Sequence, residues 1–112
     1  MKKRRKIFFY GDHYHDFYKK LDVSAKKKID WVLGIICELE IVPTKFLKHL
    51  EGTDGLYEIR VQVRRSIYRI FCFFDEGKLI VVLQGFQKKT QKTPRKEIIK
   101  AERLKQEYYE HK

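Results

Sequence analysis

Cations and aromatic rings mark where this chain could do chemistry. Lys88, Lys89, Lys92, Arg95 and Lys96 fall within nine residues that hold no carboxylate, and Lys2–Lys6 is an unbroken basic run. Upstream, Arg60, Gln62 and Arg64, then Arg69, Phe71 and Phe73, then Gln84 and Phe86 occupy alternate positions of three successive segments. Guanidinium forks take phosphate oxygens two at a time, and rings stack on unpaired bases, so cations beside exposed aromatics suit single-stranded RNA. A plainer reading fits the same residues: Phe71, Phe73 and Phe86 pack beneath a helix or a partner, and the arginines are solvated. Composition leaves both open.

Other chemistries find less support. Asp12-His13-Tyr14-His15-Asp16 has metal-ligand residue types, but residues two apart on a helix point to nearly opposite sides, so no metal site is expected. His49, ahead of the sheet, is an acid–base candidate by residue type, against the plain reading of an exposed loop histidine. His111 is expected in a frayed tail. No glycine-rich phosphate loop, nucleophilic-serine motif or CxxC pair occurs, so an ATPase, a serine hydrolase or a zinc protein is unsupported and no cofactor is expected. Cys37 and Cys72 each sit in an apolar segment, where reduced cysteine behaves as a small hydrophobe.

The 112 residues carry 26 Lys and Arg against 15 Asp and Glu, a formal charge of +11. That excess calls for a polyanionic partner bound through counterion release. The length suits one domain over residues 1–112. Ile7–Tyr10 and Ile67–Phe74 are too short to cross a bilayer. The basic start is followed by only four apolar residues before Gly11-Asp12, too few for a secretory leader, so a cytoplasmic protein without membrane contact is expected.

The elements that must position these residues follow from periodicity. Lys6–Tyr10 reads as a strand ended by Gly11-Asp12. Tyr14, Phe17, Tyr18 and Leu21 give a short helix one apolar face; a second helix, capped by Ser24 and stopped by Pro43, carries Ala25, Ile29, Val32, Leu33, Ile36 and Leu39 inward. Glu51–Gly55 belongs to a loop. Beyond it, Tyr57, Ile59, Val61 and Val63 alternate with polar residues, as in a half-buried strand. Ile67–Phe74 and Lys78–Phe86 complete a three-stranded antiparallel meander, the last strand apolar enough to be flanked on both sides. Thr93-Pro94 opens a final helix with Ile98, Ala101, Leu104 and Tyr108 on one face. The result is an α+β domain of order β-α-α-β-β-β-α, with an antiparallel sheet packed by helices on one face.

Three pieces in this order, Gly55-Leu56-Tyr57-Glu58-Ile59-Arg60, Tyr68-Arg69-Ile70 and Gly85-Phe86-Gln87-Lys88-Lys89-Thr90-Gln91-Lys92-Thr93-Pro94 with Glu97-Ile98 and Ala101 downstream, resemble the HigB-like branch of the RelE/ParE superfamily. These are toxins of bacterial type II toxin–antitoxin pairs. The resemblance spans essentially the whole chain and implies the RelE-like fold. It also implies a metal-independent endoribonuclease that cuts messenger RNA on the ribosome, leaving a 2′,3′-cyclic phosphate and a 5′-hydroxyl. The implied partners are mRNA, the ribosome and a cognate helix-turn-helix antitoxin, with operator DNA bound by the toxin–antitoxin complex.

The resemblance also suggests roles for individual residues. Arg60 would hold the scissile or an adjacent phosphate, Arg69 would stabilise the transition state, and Lys88 or Lys89 would protonate the leaving oxygen if neighbouring cations lower its pKa. Arg64, Phe86 and Lys92 are the expected RNA-binding residues. The chain departs from RelE at Glu58, where RelE has a lysine; the carboxylate is a candidate general base for the 2′-hydroxyl, or simply a partner to Arg60. RelE also uses a tyrosine in its C-terminal region, for which Tyr108 and Tyr109 offer no secure match. Two other functions share the fold or the charge: inhibition of DNA gyrase, as in the ParE branch, and noncatalytic binding of RNA or a partner.

Overall fold

The computed structural model describes residues 3–112, so Lys2 of the N-terminal basic run lies outside the described residues. In chain order the elements are β1 (Lys6–Phe9), α1 (His13–Tyr18), α2 (Val23–Glu38), β2 (Leu47–His49), β3 (Leu56–Val63), β4 (Ser66–Asp75), β5 (Leu79–Lys88) and α3 (Arg95–Glu110). They build one five-stranded sheet of order β1-β5-β4-β3-β2. The antiparallel meander β3-β4-β5 is as expected, and β5 is flanked on both sides. Two features go beyond the expectation. β1 joins β5 in parallel, Lys6 opposite Leu79 and Phe9 opposite Val82; and Leu47–His49, read as part of a connection, forms a short edge strand against Tyr57–Ile59.

Layering differs from the sequence reading. Ile59, Val61, Tyr68, Ile70, Cys72, Ile80 and Val82 face Tyr14 of α1 and Ala25, Ile29, Val32, Leu33 and Ile36 of α2. On the opposite face, Phe71, Phe73, Val81 and Leu83 lie under Ala101 and Leu104 of α3. The helices therefore pack on both faces. The physical reason is the nearly continuous apolar run of β4, which presents large side chains to both sides and needs cover on each. Phe71 and Phe73, weighed as exposed stacking platforms, are 0% and 1% exposed and belong to this second core.

Local signals fix the helix ends. Asp22, not Ser24, caps α2: its extended backbone lets the carboxylate accept from the Ala25 N–H at 2.9 Å, and Ser24 lies inside the first turn. α2 ends at Glu38, short of Pro43. The Arg5 guanidinium reaches the freed carbonyls there, donating to Ile36, Leu39 and Glu40 at 2.9, 2.6 and 2.9 Å. Pro94 itself takes the cap of α3, one residue later than expected. The C-terminal end is tied down rather than frayed: buried Asp75 accepts from Tyr108 Oη at 2.7 Å and pairs with Lys112 Nζ at 2.9 Å. Cys37 and Cys72 are buried free thiols, as read. Among the described residues no helix is long and apolar enough to cross a membrane.

Gly85 has a specific duty. A Cβ there would stand 2.5 Å from Cδ2 of Phe17, so only a glycine lets α1 lay that ring flat on the β5 backbone. The motif's glycine thereby sets how closely α1 approaches the strand that carries Phe86 and Lys88.

Candidate active site

α3 covers one half of its face of the sheet and leaves the other half open. Strand register assembles what lies there: Arg60 pairs with Arg69 across β3 and β4, Arg69 pairs with Phe86 across β4 and β5, and Ile67 pairs with Lys88. Because side chains alternate along a strand, Arg60, Arg69 and Lys88 emerge on the same side. With Lys89 and Arg65 they line a cleft of about 860 Å³. A smaller adjoining hollow of about 230 Å³ shares Arg60 and Arg69 and adds Lys45 and Gln62.

Glu58 underlies the two arginines. Its Oε2 lies 3.4 Å from Arg69 Nε and 3.8 Å from Arg60 Nε, and the Glu58 and Arg69 side chains are each 8% exposed against 32% for Arg60. Arg69 Nη1 donates to the Tyr68 carbonyl at 3.1 Å, while its Nε, although beside the carboxylate, lacks a hydrogen bond of acceptable geometry. Nη2 makes no hydrogen bond to protein among the described residues. A buried guanidinium tethered through Nη1 and ion-paired through Nε keeps Nη2 for an anion in the cleft.

Burial pulls Arg69 below its ordinary pKa; Glu58 opposes that shift and Arg60 adds to it. Lys88 is also pulled down, first by loss of hydration, then by Arg69, with Arg60 assisting and Glu58 opposing. Burial leads this shift, and the cationic neighbours add to it.

The structure sorts the remaining expected residues. Lys89 lines the cleft from an exposed position. Phe86 is half-buried, packs edge-on against Phe71 with ring centres 5.3 Å apart, and lines neither hollow. Arg64 and Lys92 are exposed and line neither hollow. Arg64 holds φ 56° as the first residue of the two-residue β3–β4 turn, and it is its neighbour Arg65 that reaches the cleft. Sequence offers nothing to separate the two arginines, since either could take the inward place of so short a turn. Lys45 was missed as well, because it precedes a strand too short to be recognised.

The other acid–base candidates lie elsewhere. His49 pairs with Tyr57, whose side chain packs toward the α1–α2 core, and its ring meets that tyrosine at 5.3 Å on the face opposite the cleft. Tyr108 and Tyr109 gather at Asp75, six residues along β4 from Arg69 and so about 20 Å away. Among the described residues no three His, Cys, Asp or Glu stand together as a metal site. The assembled groups can bind phosphate oxygens, offset charge that develops on them and deliver a proton from Lys88.

Residues 16–106 match the family described as phage derived protein Gp49-like (DUF891). No curated protein matches the chain.

Proposed function

We propose, from the premise that the chain belongs to the Gp49-like (DUF891) family of phage-derived proteins within the RelE-like superfamily of type II toxin–antitoxin toxins, that it is a ribosome-dependent endoribonuclease acting on messenger RNA. The observation that carries this reading is the Arg60–Arg69–Lys88 constellation over buried Glu58, open to a cleft wide enough for a nucleotide. Membership brings an antitoxin as partner; the Lys88–Pro94 stretch favours the HigB-like branch, hence an antitoxin of helix-turn-helix type that binds operator DNA together with this chain.

In the proposed reaction the 2′-hydroxyl gives its proton to a water of the open cleft as it attacks the adjacent phosphorus, the bond to the 5′-oxygen breaks, and the products are a 2′,3′-cyclic phosphate and a 5′-hydroxyl. Arg60 and the free edge of Arg69 hold the two non-bridging oxygens, whose negative charge grows in the pentavalent transition state. Lys88 gives its proton to the departing 5′-oxygen. Glu58 positions both guanidiniums, and its carboxylate lies beneath them rather than in the open cleft. Lys89 and Arg65 hold flanking phosphates. The ribosome supplies the orientation of the mRNA that so small a cleft lacks, which lowers the entropic barrier.

The test is mapping of 5′ ends on mRNA in a purified translation system, with wild type and Arg69→Ala at equal concentration. New cuts inside ribosome-occupied codons, absent with Arg69→Ala, are expected. Intact mRNA with folded wild type refutes the nuclease reading, and loss of supercoiling by purified gyrase in a parallel assay then assigns the chain to the other toxic activity of the superfamily.

A further inference from the structure

Trp31 is the chain's one tryptophan, and it is 52% exposed on α2. It is not isolated. Its ring meets Phe46 edge-on with centres 5.5 Å apart, Lys28 Nζ lies 5.2 Å from the Trp31 ring centre, and Lys45 Nζ lies 4.9 Å from the Phe46 ring centre. The neighbouring carboxylate, Asp30, is engaged elsewhere, by the Tyr18 hydroxyl at 2.9 Å.

This group is continuous with the candidate active site. Lys45 lines the smaller hollow with Arg60 and Arg69. The Phe46 carbonyl accepts from the Arg60 N–H at 2.8 Å, which fastens the aromatic group to the strand that carries the cleft. Since β2 ends its pairing at Leu47 opposite Ile59 while β3 continues to Val63, the sheet edge is notched there. A path of cations and rings thus runs from Arg69 and Arg60 through Lys45 and Phe46 to Trp31 and Lys28, around the edge of the sheet.

We infer that Lys28, Trp31, Lys45 and Phe46 form a second RNA subsite, in which Trp31 stacks on a base flanking the scissile phosphate while Lys45 and Lys28 hold the intervening backbone. The inference rests on the nuclease reading for the direction of the strand. Its support is the chemistry of the surface: a half-exposed indole offers a stacking face to any base, and the ammonium groups that flank the Trp31–Phe46 pair suit the phosphates of a single strand better than the apolar patch of a protein partner.

The experiment titrates the full chain with a 2′-O-methyl oligoribonucleotide, which lacks the nucleophile and stays intact. Trp31 emission reports the subsite, and anisotropy of a 3′-labelled oligonucleotide reports binding overall. Expected are saturable quenching of Trp31, about tenfold weaker binding by Trp31→Ala, and near-normal binding by Trp31→Phe, which retains a ring against Phe46. Lys45→Gln, a surface change that spares the core, weakens binding too. Binding that depends on Arg60 and Arg69 while Trp31 emission stays constant and Trp31→Ala binds normally overturns the subsite, leaves the nuclease reading intact and turns the patch over to a protein partner. No binding at any concentration overturns the subsite as well, while cleavage mapping on ribosomes decides the nuclease reading separately.

Discussion

Removing one member of the Glu58 group exposes the interdependence of the three. Glu58→Ala strands two guanidiniums, one of them buried, and is expected to destabilise the fold by about 3 kcal/mol in urea denaturation, whereas Glu58→Gln retains an acceptor and costs less. Arg69→Ala relieves burial of a charge yet removes the fork from the phosphate; cleavage is expected to fall by roughly 100-fold or more, with Arg69→Lys a poor rescue because a point charge replaces two parallel donors. Lys88 makes the pH dependence testable. A general acid must hold its proton, so cleavage declines as pH rises through the Lys88 pKa, which lies below the ordinary lysine value. Lys88→Arg keeps the charge to higher pH, and should bind RNA while losing both most of the rate and that descending limb. At this scale the sequence is legible in the grouping of Arg60, Arg69, Lys88 and Lys89, which the fold brings to one cleft. It was silent where one turn decides direction, at Arg64 against Arg65.

Elements hold these residues by contacts that can be broken one at a time. Gly85→Ala drives a methyl into the Phe17 ring and is expected to cost about 2 kcal/mol, recovered in part by Phe17→Leu, with thermal unfolding of the single and double variants as the check. The end of α3 depends on a charge. Hydrogen bonds from Lys112 and then Tyr108 hold the Asp75 carboxyl below its usual range. A depressed pKa contributes stability that is present above the unfolded value of about 4 and is lost as pH falls through the folded value. The C-terminal turn of α3 should therefore loosen in acid, seen as faster amide exchange after Leu104, and Asp75→Asn should show that exchange at neutral pH. Legibility varied by element for clear reasons. β3 alternates cleanly, and its apolar positions alone name the face that meets α1 and α2. β4 carries apolar residues at nearly every position, so its sequence announces burial on both sides without saying what covers the second. β2 has three residues, too few for any period, and the parallel docking of β1 depends on β5, far away in the chain.

Charge acts on the molecule as a whole. With a formal +11, RNA binding should weaken steeply with salt. If the cleft neutralises the scissile phosphate and the two flanking ones held by Lys89 and Arg65, its share of the slope of log affinity against log salt is about −2, and Lys89→Gln makes it shallower by about 0.7. Titrations at several salt concentrations test this, and separate the phosphate contacts from the stacking at Trp31, which carries little salt dependence.

The parallel docking of β1 also orders the birth of the protein. Lys6 waits for Leu79, 79 − 6 = 73 residues later, and closing so long a loop costs roughly 4 kcal/mol before any contact repays it. β5 must insert between β1 and β4, and it is also the strand that brings Lys88 to the arginines. A nascent chain short of that strand has neither a closed sheet nor a finished cleft. Emergence of the fifth strand is thus the step that finishes both the sheet and the cleft.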